Sequence, residues 1–429
     1  MTPQASFTIV APLDRERANE CRKLLETMND RPGRADPANA ILPFGDFDTL
    51  HFARVCVIDD ATLDDIAVYD LPRRDEPLYL CFLGDVDGDA HQFLEDLVRR
   101  AQMGLWTLFS FCLDFEPGDD ILAWIIRHLV TPSASYGNWR GRTVRQIREE
   151  ASLYEALRGY VAANTTKRSA REIHEGARAF VERERAGGSL SLSPEAPTPA
   201  AWRWANLAHL VGVPLLLVVV AIPLAIVAIF VAIRLRALER SDPELCDRPS
   251  ADHVASLSVF EDHDVTNGFS AIGSLKPGAL RLWLAAFVLW IIDYTTRHIF
   301  TRGRLARVHT IHFARWVFID GGRRLMFCSN YDGSLDSYMD DFINKVAFGL
   351  NLVFSNGIGY PRTRWLALDG AKDEGKFKNF LRRHQFPTDV WYNSHPGLTA
   401  FDLQRNQRVR AGIESRLGDG EVRTWVALL

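Results

Sequence analysis

One stretch of this sequence occurs twice. Leu50-His51-Phe52-Ala53-Arg54-Val55-Cys56-Val57-Ile58-Asp59 returns as Ile311-His312-Phe313-Ala314-Arg315-Trp316-Val317-Phe318-Ile319-Asp320, shifted by 261 positions. Upstream, Phe7–Leu13 matches Phe269–Leu275 at a shift of 262; downstream, Asp87-Gly88 matches Asp332-Gly333 and Gly104–Ser110 matches Gly349–Ser355, both at 245. Four matches in one order at nearly constant offset mark an internal duplication. The change of shift gives the first copy 16 extra residues, through Leu63–Pro77. A chain of 429 residues has room for two or three domains, so two copies plus additions fit its length.

Each copy reads as strand, helix, strand, strand, helix. In the first, Phe7–Ala11 is short and apolar, and Asp14–Met28 has helical spacing of Ala18, Cys21, Leu24, Leu25 and Met28. Phe52–Ile58 and Leu78–Leu83 read as strands, and His91–Phe111 as a helix opened by Asp87-Gly88-Asp89. In the second, Gly333-Ser334-Leu335-Asp336 opens the equivalent helix, with Asp332 expected as turn and N-cap. This order predicts an α+β fold of two ferredoxin-like repeats covering each other's open sheet faces, a pseudo-twofold α/β barrel or sandwich. The expected boundaries are 1–115 for the first repeat, 116–188 for a helical insertion and 189–200 for a Pro- and Ser-rich linker. A membrane anchor over 201–240, a connector over 241–266, the second repeat over 267–365 and an α/β extension over 366–429 complete the chain.

The topology resembles the dimeric α/β-barrel superfamily, which includes dye-decolourising peroxidases and chlorite dismutases. Ser329-Asn330-Tyr331-Asp332-Gly333 is similar to the G-x-x-D-G loop of the peroxidases. The resemblance implies a haem-dependent oxidoreductase, although no histidine here matches the family's proximal ligand. The strings IHFARW and SNYDGS also resemble a family of bacterial membrane-associated proteins, which implies a bacterial inner membrane.

Leu207–Ile233 runs 27 residues without a formal charge, broken only by His209, Pro214 and Pro223. About 20 such residues suffice to cross a bilayer, so membrane insertion is expected. A single crossing would put the two copies on opposite sides. The prolines instead predict a monotopic, re-entrant segment that bends between Pro214 and Pro223. Arg234, Arg236 and Arg240 would then reach the headgroups on one arm, with Trp202 and Trp204 as interfacial anchors on the other. Ala279–Ile292 is a second apolar stretch, short for a span.

The net charge of −4 argues against nucleic acid as a partner. The six cysteines have no paired spacing, which predicts reduced, buried thiols and a cytoplasmic body. Asp14, Arg15, Glu16 and Arg17 stand where a signal peptide would need an apolar core. No G-x-S-x-G, H-E-x-x-H or phosphate-binding glycine loop occurs, and no metal pattern. Paired positions such as His51 and His312, Arg54 and Arg315, or Asp59 and Asp320 read first as shared fold determinants. His309, Asn330, Tyr331, Asn356 and Tyr360, with His384, Trp391, Tyr392 and His395 in the tail, stand in one copy only. Candidate chemistry falls on His309, His312, Arg315, Asn330 and Tyr331, with Trp316, Phe318 and Phe354 as pocket wall. Glu261-Asp262-His263-Asp264 reads as a solvated turn. Two functions follow as expectations: an enzyme acting on a lipophilic small molecule in the bilayer, with haem from the resemblance alone, or a non-catalytic lipid-binding or scaffold protein.

Overall fold

The computed structural model describes residues 3–164, 169–245, 247–301 and 303–429. Arg168, at the start of a charged helix that the sequence predicts over Arg168–Arg185, and Cys246 of the expected thiols lie outside them. The chain is a mixed α+β structure with two four-stranded antiparallel sheets. The first sheet runs Gln4–Leu13, Leu78–Asp87, Leu50–Ile58, Val390–Asn393; the second runs Thr266–Ser274, Arg324–Asp332, Ile311–Ile319, Ala134–Gly137. Both place the third strand of a unit between its first and second.

The fourth strand of each sheet comes from the other half of the chain. Ala134–Gly137 follows the first unit yet pairs with Ile311–Ile319, setting Ser135 opposite Arg315. Val390–Asn393 follows the second unit yet pairs with Leu50–Ile58, setting Trp391 opposite Arg54. Within the insertion the sequence predicts helices over Ile121–Val130 and Arg142–Ala163; helices stand at Ile121–Arg127 and Val144–Asn164, and the strand Ala134–Gly137 lies between them, where no element was expected. Its four residues carry too little pattern, and their extended state comes from long-range pairing.

The sheets stack face to face and close no barrel, which corrects that part of the expected architecture. All nine residues of Leu50–Ile58 and all nine of Arg324–Asp332 are buried, because each strand has a covered face on both sides. Val10, Cys56, Ile58, Cys81 and Leu83 meet Ile272, Val317, Ile319, Met326 and Cys328 in the seam between the sheets. Ala18–Glu26 and Ala90–Phe109 pack on the outer face of the first sheet. Ala279–His298 and Leu335–Phe354 do so on the second. Ala90–Phe109 and Leu335–Phe354 each leave helical dihedrals once, at Ala101 and Val346, again 245 positions apart. Beside the sheets, Val144–Asn164 packs on Ala400–Glu414, and Leu153, Leu157, Val181, Val409 and Trp425 share a smaller core. The five described cysteines are free and buried, as the spacing predicted.

Three helices are long and apolar enough to cross a membrane: Ala200–Val219, Ala221–Ser241 and Ala279–His298. The first two are one helical run interrupted at Val220, whose φ of −95° and ψ of 11° leave the helical region. Pro223 explains the break: it has no N–H to donate to the Val219 carbonyl and its ring crowds that turn. Helical bonds resume from Val220 N to Leu216 O and from Leu224 N to Val220 O, each 3.0 Å.

Candidate functional site

The residues singled out in the repeated strands are taken up by paired, reciprocal bonds. Arg54, from the first sheet, donates to Phe269 O, Ser270 Oγ, Ser329 O and Asn330 Oδ1 of the second. Arg315, from the second, donates to Phe7 O, Thr8 Oγ1, Gly84 O and Asp85 Oδ1 of the first. The acceptors correspond position for position, except that Asn330 stands where the other half has Asp85. Burial pushes the Asp85 carboxyl above the usual range, and Arg315 draws it back.

The histidines follow the same rule. His51 Nε2 lies 2.9 Å from Asp87 Oδ1, and His312 Nε2 lies 2.7 Å from Asp332 Oδ1. The second oxygen of each aspartate accepts a helix N-terminus, Val144 N on Asp87 and Ala400 N on Asp332. A carboxylate there gains from the helix dipole. The N-cap role expected of Asp332 belongs to Ser334, which accepts from Ser337 N. Among the other candidates, His309 is exposed and bonds the Gly303 carbonyl, away from His312. Tyr331 is buried against Tyr338, ring centroids 4.2 Å apart, and burial holds its phenol far above the ordinary range. Trp316 packs on Phe327 in a tilted arrangement, ring centroids 5.0 Å apart. Phe318 packs at the edge of the second core, and Phe354 lines a cavity of about 40 Å³ beside His384. Tyr360 donates to Asn351.

Haem, implied by the resemblance, does not fit these residues. Around Arg54, Asp85, Arg315 and Asn330 the sheets leave no space for even a water molecule. His312 spends Nε2 on Asp332, and His51 spends its Nε2 on Asp87. A pocket was expected between the two sheets or between a sheet and the anchor; the space between the sheets is filled by their own side chains.

The large opening lies elsewhere. A cleft of about 690 Å³ opens between the edge of the first sheet, the Ala134–Gly137 strand and the foot of the Ala200–Val219 helix. Its walls include Tyr136, Arg140, Trp202, His209, Arg297 and His298. The His209 and His298 rings stack at 4.6 Å, and His298 Nδ1 is 2.6 Å from Asn206 Oδ1. Arg297 pairs with Asp293 at 2.6 Å. Arg140 makes no ion pair among the described residues; its one hydrogen bond reaches the Arg297 carbonyl at 3.5 Å. Burial, then the neighbouring Arg297, disfavour the charge on Arg140. Among the described residues the buried Tyr136 hydroxyl has no partner. Sequence reading found only Trp202 of this set. The one signal it carried was His209, the sole polar interruption in the apolar run.

The two arms of the apolar segment root on one helix. Asn206 and His209 contact His298 and Tyr294 at one end of Ala279–His298, while Asp242 binds Arg281 at the other, 2.5 Å away, and Lys276 at 3.0 Å. Arg281 and His298 stand about 26 Å apart along that helix, whereas a straight Asn206–Asp242 helix would be about 54 Å long. The arms therefore form an arch with Val220 near its tip. No residue of Ala200–Val219 is buried, and only Leu235 and Glu239 are buried in Ala221–Ser241. Trp204, Pro214 and Arg234 stand exposed or half-buried, while Arg236 pairs with Glu239 at 3.0 Å. Trp283, Phe287 and Trp290 add an exposed aromatic row on Ala279–His298.

No protein-family model matches the chain, and no curated protein or solved structure matches it.

Proposed function

We propose that this protein is a monotopic membrane protein, with a duplicated ferredoxin-like body that holds a membrane lipid rather than transforming a substrate. One observation carries the reading: an apolar arch, unburied along its first arm, leaves and re-enters the same body. A single crossing is at odds with the connectivity. Ala134–Gly137, before the arch, pairs with Ile311–Ile319, after it, so both flanks lie on one side. Leu207–Val220 and Val220–Ile233 each rise about 20 Å, short of the roughly 30 Å hydrocarbon core. The tip, Leu217 to Pro223, has no polar residue to emerge into water. A re-entrant arch satisfies both limits, and the buried free cysteines suit a reducing, cytoplasmic compartment.

Support for the duplication comes from bonds made twice. Val130 N donates to Thr8 O as Phe386 N donates to Ser270 O. Leu129 bridges Ile9 as Gln385 bridges Ala271, the partners again 256 and 262 positions apart. The non-catalytic side is favoured because Arg315 and Asn330 are spent on bonds between the sheets, and His312 on Asp332 within the second sheet. The test replaces 207–233 with a flexible Gly/Ser linker in the full chain. Loss of co-flotation with phosphatidylcholine vesicles, with an unchanged circular dichroism spectrum, is expected. A folded variant that still floats transfers the anchor to Leu280–Ile292 and ends the arch reading.

A further inference from the structure

The two halves repeat each other closely, so a cleft on one side only needs a cause. Ser135 and Trp391 hold equivalent places, opposite Arg315 and Arg54 respectively. Trp391 stacks on Phe52 at 5.3 Å and lies against the Arg54 guanidinium, which fills its side. On the other side Phe313, the counterpart of Phe52, faces an opening because Ser135 is small. The charge is one-sided too: Arg140 stands where the second half has Pro396. Among the described residues this half-buried guanidinium has no carboxylate partner, and the arginine beside it is paired with Asp293, so Arg140 is the unbalanced positive charge of the cleft. Asp85 also lines the cleft but is held by Arg315, and Asp293 is held by Arg297. Trp202 and His209, at the foot of the first arm, put this site where the apolar run begins.

The geometry points to a binding site for an anionic phosphate group in this cleft, supplied by the headgroup of a lipid in the leaflet that the arch enters. The inference rests on the arch reading for its lipid source. Arg140 and Arg297 offer planar forks of donors matched to phosphate oxygens, and the Tyr136 hydroxyl is a further donor without a partner. A volume of about 690 Å³ suits a headgroup and exceeds what a bare ion needs.

The test uses the full chain and vesicles of phosphatidylcholine alone or mixed with phosphatidylglycerol, read by co-flotation. Adding phosphatidylglycerol is expected to tighten wild-type binding about tenfold, the scale of charge-assisted hydrogen bonds. Arg140→Gln removes that gain by deleting the unpaired charge. Ser135→Trp removes it by filling the cleft as Trp391 fills its counterpart, a side chain this register already accommodates. Arg423→Gln, an equal loss of charge at an exposed position that does not line the cleft, keeps the gain. Full gain in both cleft variants overturns the site, as does an equal loss in Arg423→Gln. A wild type that fails to bind phosphatidylcholine vesicles overturns the arch instead. Soluble glycerol phosphate separates the sources: competition assigns the site to a free phosphate ester, and no competition assigns it to the lipid.

Discussion

Arg54 and Arg315 sit in matching cradles that differ in one acceptor, and that difference sets what each arginine's loss should cost. Both are buried, 1% and 3% exposed, so neither has water to fall back on. Arg315→Met strands Asp85, a buried carboxylate whose guanidinium has gone; breaking such a pair costs about 3–5 kcal/mol. Arg54→Met strands only carbonyls, a hydroxyl and the Asn330 amide, and loses a contact with Trp391; neutral buried acceptors left open cost about 1–3 kcal/mol. The expected gap is about 2 kcal/mol. At roughly 2.1 cal/mol/K per residue the whole chain gives about 1 °C of Tm per kcal/mol if it unfolds as one unit. Differential scanning fluorimetry in detergent should therefore place Arg315→Met about 3–5 °C below wild type and Arg54→Met about 1–3 °C below. Adding Asp85→Asn to Arg315→Met copies the neutral acceptor of the other half and should recover most of the gap. The deficit should also depend on pH. Burial already raises the Asp85 pKa, and losing Arg315 raises it further. The folded variant then holds a proton that the unfolded chain releases, so its stability is greatest below the unfolded carboxylate range and declines as pH rises through the raised value. Equal losses for the two arginines, no recovery with Asp85→Asn, or a deficit that does not shrink in acid would each refute the reasoning.

Asp389 provides a second titration: burial pushes its carboxyl up to about 6, although Val57 N donates to it at 2.9 Å. Its stabilising share is complete below about pH 4 and fades as pH rises through about 6, ending at a deficit of up to about 3 kcal/mol. Asp389→Asn should match wild type at pH 4 and melt higher at pH 8; curves that stay parallel would remove this account. Gly104 and Gly349 form a paired test within the matching helices. A Cβ on Gly104 would stand 1.7 Å from the Ile41 carbonyl oxygen, whereas one on Gly349 meets nothing within 4 Å. Gly104→Ala should cost about 3 kcal/mol or more, and Gly349→Ala should stabilise by about 0.5–1 kcal/mol. Urea titration of both decides it, and similar midpoints would contradict the packing argument.

The parts of the fold legible in the sequence were those written in long, twice-repeated patterns. Leu50–Ile58 and Ile311–Ile319 carry nine residues of apolar and β-branched character, and the constant offset tied each to its partner. The bend between Pro214 and Pro223 was legible because proline acts locally on its own helix. The exchange of Ala134–Gly137 and Val390–Asn393 was not, since partner choice between two nearly identical edges is a tertiary matter. The cleft was hidden for the same reason. Ser135 and Trp391 become comparable only once both are known to lie opposite an arginine of the other half. His312, Arg315 and Asn330 are polar residues on strands, a pattern that suits a site and a seam equally. Reciprocity of their bonds separates the two, and only coordinates supply it.

The two four-stranded sheets differ beside the arch, and the opening lies there. The arch enters the chain once, between the halves, so only one side of the sandwich has an arm foot beside it. On that side the exchanged strand carries Ser135, and Trp202, Asn206 and His209 of the arm supply the outer wall. On the other side Trp391 closes the same position with its own indole. Had both halves carried tryptophan, the arm would have met a filled edge. Had both carried serine, the far side would have left the Phe52 ring and the Arg54 guanidinium open to water. Arg54 holds four acceptors of the second sheet, and water there would compete for each of those bonds. The shared positions therefore bind the sheets to each other, and the positions that differ decide which side stays open.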